Sequence, residues 1–202
     1  MKKKDVSAHV YITNSKIQVL MGSCVKNKLQ VVNCYEEPLE EGCILNGIIM
    51  NNYSLQNTLT EMWQKYNLPA KGVTLVVNGS SITVKPLKVP QIAPKNVPSF
   101  IRGELRDIEG IQNMLVDYSV VTPKNPDGSC SILAVVSTRE FITSYISLFK
   151  EAKIELEVID LVQNCLIKMM KRLKSLQGKK RQSYYQIFRH RTHQKPIYLI
   201  LL

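Results

Sequence analysis

Residues 131–160, Ser-Ile-Leu-Ala-Val-Val-Ser-Thr-Arg-Glu-Phe-Ile-Thr-Ser-Tyr-Ile-Ser-Leu-Phe-Lys-Glu-Ala-Lys-Ile-Glu-Leu-Glu-Val-Ile-Asp, carry strand, helix and strand signals with almost no slack between them. Any fold of this chain has to accommodate that unit. Ile132 to Val136 is a short run rich in β-branched residues. Ser137 stands three residues before Glu140, the spacing at which two side chains reciprocally satisfy orphan amides, so a helix is predicted from about Thr138. Ile142, Tyr145, Ile146 and Phe149 recur at i, i+3, i+4 and i+7, with Phe141 and Leu148 widening the stripe, so one broad face must be buried. Ile154, Leu156 and Val158 then alternate with Glu155 and Glu157, which predicts a strand with one wet face.

A chain of 202 residues, 45% of them hydrophobic, has enough apolar material for one domain or two small ones. No apolar run approaches the roughly 20 residues that span a bilayer, and Lys2-Lys3-Lys4 is not followed by a signal-peptide core. A cytoplasmic protein without direct membrane insertion is expected. The five cysteines (Cys24, Cys34, Cys43, Cys130, Cys165) are odd in number, well separated and without a Cys-x-x-Cys pair, which argues against a disulfide framework and against zinc. The net charge of +11 suggests nucleic acid until its placement is considered. All 16 acids lie at or before Asp160, while nine of the 27 Lys and Arg lie in residues 171–202. The first 170 residues thus carry 18 cations against 16 acids, a net +2, and only the tail is basic.

In chain order, Val6 to Asn14, Lys16 to Met21 and Lys28 to Tyr35 read as an antiparallel meander, the first two strands joined at Asn14-Ser15. Glu36 to Gly42 carries turn and charge signals, and Ile44 to Met50 reads as a short strand around Asn46-Gly47. Leu55, Leu59, Met62, Trp63 and Tyr66 have helical spacing, stopped at Leu68-Pro69, and Val73 to Val77 is a further strand. Ser81 to Val89 alternates as a strand; a proline-punctuated connection, a helix over Phe100 to Ile111 and a strand over Met114 to Val121 follow. With the Asp127-Gly128 turn and the strand-helix-strand unit, residues 81–159 read β-α-β-β-α-β, the element order of ferredoxin-like modules. Leu161 to Leu173 is helical, and after Gly178 the periodicity stops.

Little in this body suggests catalysis. A Ser, His and Asp triad needs a histidine in the folded body, where only His9 lies, in mid-strand and more simply structural. The paired acids Glu36-Glu37 and Glu40-Glu41 read as solvated surface. Lys179-Lys180-Arg181 with Tyr184, Tyr185 and Phe188 could contact phosphates and stack on bases, and neither Gly-x-Gly-x-x-Gly nor a Walker pattern occurs.

One turn has another kind of shape. Tyr11-Ile-Thr-Asn-Ser-Lys-Ile-Gln-Val19 is similar to the first phosphate hairpin of the actin-like ATPases, Asp-x-Gly-Ser-x-x-Ile-Lys. After it come Pro38-Leu-Glu-Glu-Gly-Cys-Ile-Leu-Asn-Gly47, Val73-Thr-Leu-Val-Val-Asn-Gly-Ser-Ser-Ile-Thr-Val84, Ile101-Arg-Gly-Glu104, Val116-Asp-Tyr-Ser-Val120, Tyr145-Ile-Ser-Leu-Phe-Lys-Glu-Ala152 and Ile159-Asp160. Over roughly residues 5–175 this ordered series resembles the amino-terminal half of the PilM family, cytoplasmic actin-like proteins of type IV pilus assembly related to the cell-division protein FtsA. The resemblance implies an α/β (α+β) fold, one half of an actin-like, ribonuclease H-like architecture. Subdomain 1A would comprise residues 1–80 plus 160–176, and an inserted ferredoxin-like 1C subdomain residues 81–159. Residues 177–202 would be a basic tail, disordered or out of frame.

Intact members of that family bind ATP and magnesium between two halves, and hold the cytoplasmic peptide of the inner-membrane protein PilN between 1A and 1C. The resemblance therefore implies a cytoplasmic adaptor, peripheral at the membrane through a PilN-like partner and other pilus assembly proteins. The partner would dock at the 1A/1C junction near Asn78, Gly79, Ser80 and Ile159. The phosphate hairpin, Thr13, Asn14, Ser15 and Lys16, departs from the family pattern: Tyr11 stands where a metal-associated Asp would be and Thr13 where a Gly would be. A tyrosine cannot hold the water shell of magnesium, and a side chain at the glycine position obstructs phosphate, so no cofactor and no ATP hydrolysis are expected. The family's second half, with its second phosphate loop and adenosine pocket, has no counterpart in the series. The loss of acids and periodicity after Gly178 is what a slipped frame at the Lys179-Lys180 codons would leave; an alternative frame without a strand-rich continuation would sink that idea. The competing readings are a nucleotide-binding actin-like ATPase module and a nucleic-acid-binding protein using its tail, though no nucleic-acid partner is expected. Deleting residues 179–202 should abolish any DNA affinity the purified chain shows; affinity unaffected by the deletion excludes the tail as its source.

Overall fold

The structure, a computed structural model, describes residues 6–25 and 28–172, so the expectations placed on the basic tail lie outside the described residues. The meander forms as β1 (Ser7–Ile12), β2 (Lys16–Val25) and β3 (Lys28–Pro38). Glu36 and Glu37 belong to β3, not to a loop: Lys16 Nζ lies 2.8 Å from Glu36 and Lys65 Nζ 2.6 Å from Glu37, and these cations lower both carboxyls. Where one short strand was expected, Asn46-Gly47 instead turns a ribbon of β4 (Ile44–Leu45) and β5 (Ile48–Ile49). Then follow α1 (Asn52–Lys65), β6 (Val73–Val77), β7 (Ile82–Val89), α2 (Val97–Glu104), β8 (Leu115–Thr122), β9 (Cys130–Ser137), α3 (Arg139–Glu151), β10 (Leu156–Leu161) and α4 (Val162–Arg172).

Among the described residues the strands make a five-stranded sheet ordered β10-β6-β1-β2-β3, a three-stranded sheet ordered β7-β9-β8, and the ribbon. β2 and β3 run antiparallel as a meander, whereas β6 and β10 run parallel to β1. A line of facing residues, Ile159, Leu75, Val10 and Val19, crosses the large sheet, and the last three are almost wholly buried. α1 covers this face with Leu55, Leu59, Met62 and Trp63.

This arrangement corrects the β-α-β-β-α-β grouping of residues 81–159. The small sheet has three strands and one helix, α2, whose Val97 and Ile101 pack on Val89, Ile132 and Val136. α3 and β10 belong to the large sheet: Phe141, Tyr145, Leu148 and Phe149 join the core around β1 and β6, and Phe149 meets Trp63 of α1 edge-to-face at 6.4 Å. The buried face is therefore rotated from the expected stripe, leaving Ile146 half exposed. Chain order could not separate the two groupings, because a strand-helix-strand unit joins whichever sheet buries its helix.

Three local expectations change as well. The cap of α3 is Thr138, whose Oγ1 accepts from Phe141 N, one residue beyond Ser137. α2 ends at Glu104, after Gly103 has weakened the helix, and a turn with left-handed Gly110 leads to β8. In β10 the register shifts between Leu156 and Val158, so a bulge at Glu157 turns Val158 outward, 45% exposed, and returns Ile159 to the core.

His9 is buried in β1, and Ser7 Oγ lies 2.8 Å from its Nε2. Burial lowers its pKa from 6.5 to about 4, so the unfolded chain takes up this proton first. The stability it contributes is complete above pH 6.5 and is lost as the pH falls toward 4. Stability should therefore decline by up to about 1.4 kcal/mol per pH unit across that window, and His9→Gln should flatten the slope in denaturant melts taken between roughly pH 6.5 and 4.5.

Candidate functional site

Because β1, β6 and β10 are parallel, their carboxyl ends lie side by side, the place where open α/β sheets gather ligands. The β1–β2 hairpin brings Thr13, Asn14 and Ser15 there, the ribbon turn brings Asn46 and Gly47, and the chain leaving β6 brings Asn78, Gly79 and Ser80. With Tyr11 and Ile12 they line one open cleft of about 370 Å³. Six of the eight residues singled out in the sequence thus meet.

Two backbones in contact form the cleft. Asn46 and Gly47 have left-handed conformations, φ 50° and 83°, in which an asparagine is tolerated and a glycine is at ease. Ser80 N donates to Asn46 O at 3.0 Å, and Tyr145 Oη donates to Gly47 O at 2.7 Å. A Cβ on Gly47 would fall well inside contact distance of the Asn78 carbonyl oxygen, and one on Gly79 would lie 2.8 Å from Asn46 O and 3.2 Å from the Phe141 ring. Both glycines are therefore set by close approach. Burial pushes the Tyr145 hydroxyl up to about 12, which keeps it a donor.

The hairpin satisfies itself. Thr13 Oγ1 accepts from Ser15 N at 3.3 Å and from Lys16 N at 3.1 Å, and donates to Lys16 O at 3.1 Å. Those two amides are the donors a phosphate at this turn would use. Lys16 ion-pairs with Glu36 and stands outside the lining. Tyr11 is only 8% exposed and packs with Val76 and Cys165. No residue lining the cleft carries a charge. A magnesium-bound triphosphate requires carboxylate or water-ordering oxygen ligands and free amide donors or cations, so this donor set does not fit one.

Asp160, on β10, is engaged elsewhere. Burial raises its pKa, but hydrogen bonds from Lys168, Asn164 and the Leu161 amide outweigh that and hold the carboxyl below its usual range. Cys165 beside it is pushed up to about 12, first by burial and then by the Asp160 charge, so it is not an activated thiolate. Ile159 is not brought to the cleft. It lines a separate open groove of about 530 Å³ with Ile146, Leu156 and Val158, between α3 and the outer edge of β10. Sequence reasoning passed over Asn46, Gly47, Tyr145 and Gln163, whose Nε2 donates to Asn78 Oδ1 at 3.5 Å. The Asn-Gly pair was a usable signal. Nothing local announced the others.

A five-stranded sheet of this order, with its hairpin and inserted small sheet, is the core of one half of an actin-like ATPase fold. The model of the type IV pilus assembly protein PilM family matches residues 10–188, and the chain belongs to that family. A solved PilM–PilN type IV pilus biogenesis complex aligns with a TM-score of 0.73 at 16% identity, covering 86% of this chain and 52% of that one. The chain spans about half the length of that relative. The cytoplasmic domain of EpsL, an inner membrane component of the type II secretion system of Vibrio cholerae, aligns with a TM-score of 0.48 at 11% identity, covering 77% of this chain and 57% of that one. A Bacteroides thetaiotaomicron protein with an actin-like ATPase fold gives 0.43 at 11% identity, covering 84% and 56%. No curated protein matches at a significant level.

Tyr145→Phe leaves a buried carbonyl, Gly47 O, without its donor and should destabilise the chain by about 1–3 kcal/mol. Gly47→Ala should cost more, since the backbone of Asn78 cannot step aside, with the order of the two variants read from urea midpoints.

Proposed function

We propose that this chain is an adaptor of type IV pilus assembly that works by binding and does not turn over nucleotide. The family supplies the setting, and a single observation carries the mechanism: Thr13 satisfies the hairpin amides in a cleft with no charged lining. The partner is the cytoplasmic amino-terminal peptide of a PilN-like inner-membrane protein, taken in extended form at the junction of the large sheet with the inserted small one, near Asn78, Gly79 and Ser80. The chain thereby sits in the cytoplasm at the inner face of the membrane, held there by its partner. Among the described residues no helix is long and apolar enough to cross a membrane, which agrees with attachment through a partner. Open strand edges, among them β10 and β3, give an extended peptide backbone groups to pair with. The ATPase reading has the fold in its favour and the donor set against it. The nucleic-acid reading rests on residues outside those described.

Titration of the purified chain with a synthetic peptide of the PilN-like amino terminus should saturate with a Kd of about 1–100 μM, a usual range for short peptide ligands. ATP with magnesium should show no saturable turnover. Failure of the peptide to bind would remove the partner, and saturable magnesium-dependent hydrolysis would restore the enzyme.

A further inference from the structure

We propose that Asn46 is a site of spontaneous deamidation, and that its conversion releases the contact holding the ribbon turn against the end of β6. The chemistry needs water and no partner, so it stands apart from what the cleft binds.

The sequence holds two Asn-Gly steps, at 46–47 and 78–79, and the fold sets them against each other. An asparagine before a glycine is the ordinary composition of a hairpin turn, and the same composition makes it reactive, because no side chain on the glycine shields its amide nitrogen. The Gly47 nitrogen attacks the Asn46 carboxamide carbon; a C–N bond forms, and ammonia leaves with the proton that the nitrogen gives up. Water then opens the cyclic imide at either carbonyl. Opening at the former side-chain carbonyl leaves an aspartate, and opening at the main-chain carbonyl leaves an isoaspartate.

The two steps are not equally placed. Asn46 is exposed, and its carboxamide has no hydrogen-bond partner among the described residues. It turns a ribbon whose strands are two residues each, a unit with little stability of its own, and Tyr145 anchors Gly47 through its carbonyl and not through the attacking nitrogen. Asn78 is exposed too, but it leaves a strand paired on both sides, and its Oδ1 accepts from Gln163 Nε2 at 3.5 Å. Gly79 has the Phe141 ring and Asn46 O against it. Opening the backbone for attack is therefore easier at residue 46.

An isoaspartate routes the chain through the former side-chain carbon, which lengthens a turn that has no slack. The Asn46 main-chain carbonyl that takes the Ser80 amide at 3.0 Å becomes a free carboxylate, and the Gly47 carbonyl is drawn from the Tyr145 hydroxyl. An aspartate keeps the turn but puts a charge in a cleft lined by none. The exit from β6 is thus fixed in a young molecule and loosened in an old one.

Ageing the purified full chain at body temperature in mildly alkaline buffer tests this, with peptide masses and methyl labelling by protein isoaspartyl methyltransferase as readouts. Tryptic peptides separate the two steps, since Lys65 and Lys71 lie between them. Residue 46 should convert at least about fivefold faster than residue 78, the ratio that a modest difference in local opening gives, and the rate should rise with pH. The converted fraction, separated by ion exchange, should unfold at lower urea than the fresh chain. Asn46→Gly keeps a left-handed turn and removes the carboxamide, so its peptide should take no label and its urea midpoint should not drift with age. No conversion at residue 46 in the folded chain while the urea-unfolded chain converts, conversion at residue 78 as fast as at 46, an unchanged midpoint in the converted fraction, or equal drift in Asn46→Gly would each overturn the proposal.

Discussion

The contact between the Asn46-Gly47 turn and the Asn78-Gly79 step is the joint on which this molecule is hung. It lies where the chain leaves β6, the central parallel strand, and turns toward the small sheet. The Asn46 carbonyl takes the Ser80 amide just before β7, and the Gly47 carbonyl takes the hydroxyl of a tyrosine in α3. One turn of the ribbon therefore fixes the exit from the large sheet, the approach to the small one and the seat of the helix that returns the chain. Side chains at either glycine would separate the two backbones and loosen the ribbon from the exit of β6.

The large sheet would be complete without its insertion. Parallel strands need a crossover, and α3 is the crossover helix between β6 and β10, with its aromatic face packed on α1 and the sheet. Ile82 to Ser137 enters that connection before the helix begins, bringing its own small core around Ile101 and Ile132. Two cores thus share one connection, and the cleft opens where that connection leaves the end of β6.

Much of this was legible because periodicity reports burial. The helix of Leu55, Leu59, Met62 and Trp63, the meander, and the strand at Val73 lie where their patterns put them. Partner choice was less legible. Nothing in Phe141, Tyr145 and Phe149 says which sheet they cover, since both sheets offer aliphatic strand residues, Val10 and Leu75 in one and Val89 and Ile132 in the other. The alternation through Glu157 misled because a bulge adds one residue to the count without changing the composition. At the cleft, Thr13, Asn14 and Ser15 were found through the shape of the hairpin, and Asn78 to Ser80 through the turn after a strand. Ile159 was misplaced because it lies within β10, packed against the large core and lining the groove beside α3, and not in the turns beyond the strand ends.

The threonine at the hairpin has a consequence for the sheet as well as for the cleft. Its hydroxyl takes the Ser15 and Lys16 amides and donates to the Lys16 carbonyl, so the turn is tied by its own side chain. A turn locked in this way keeps its outline without help from its neighbours, and the rim it gives the cleft is as firm as the two strands that carry it.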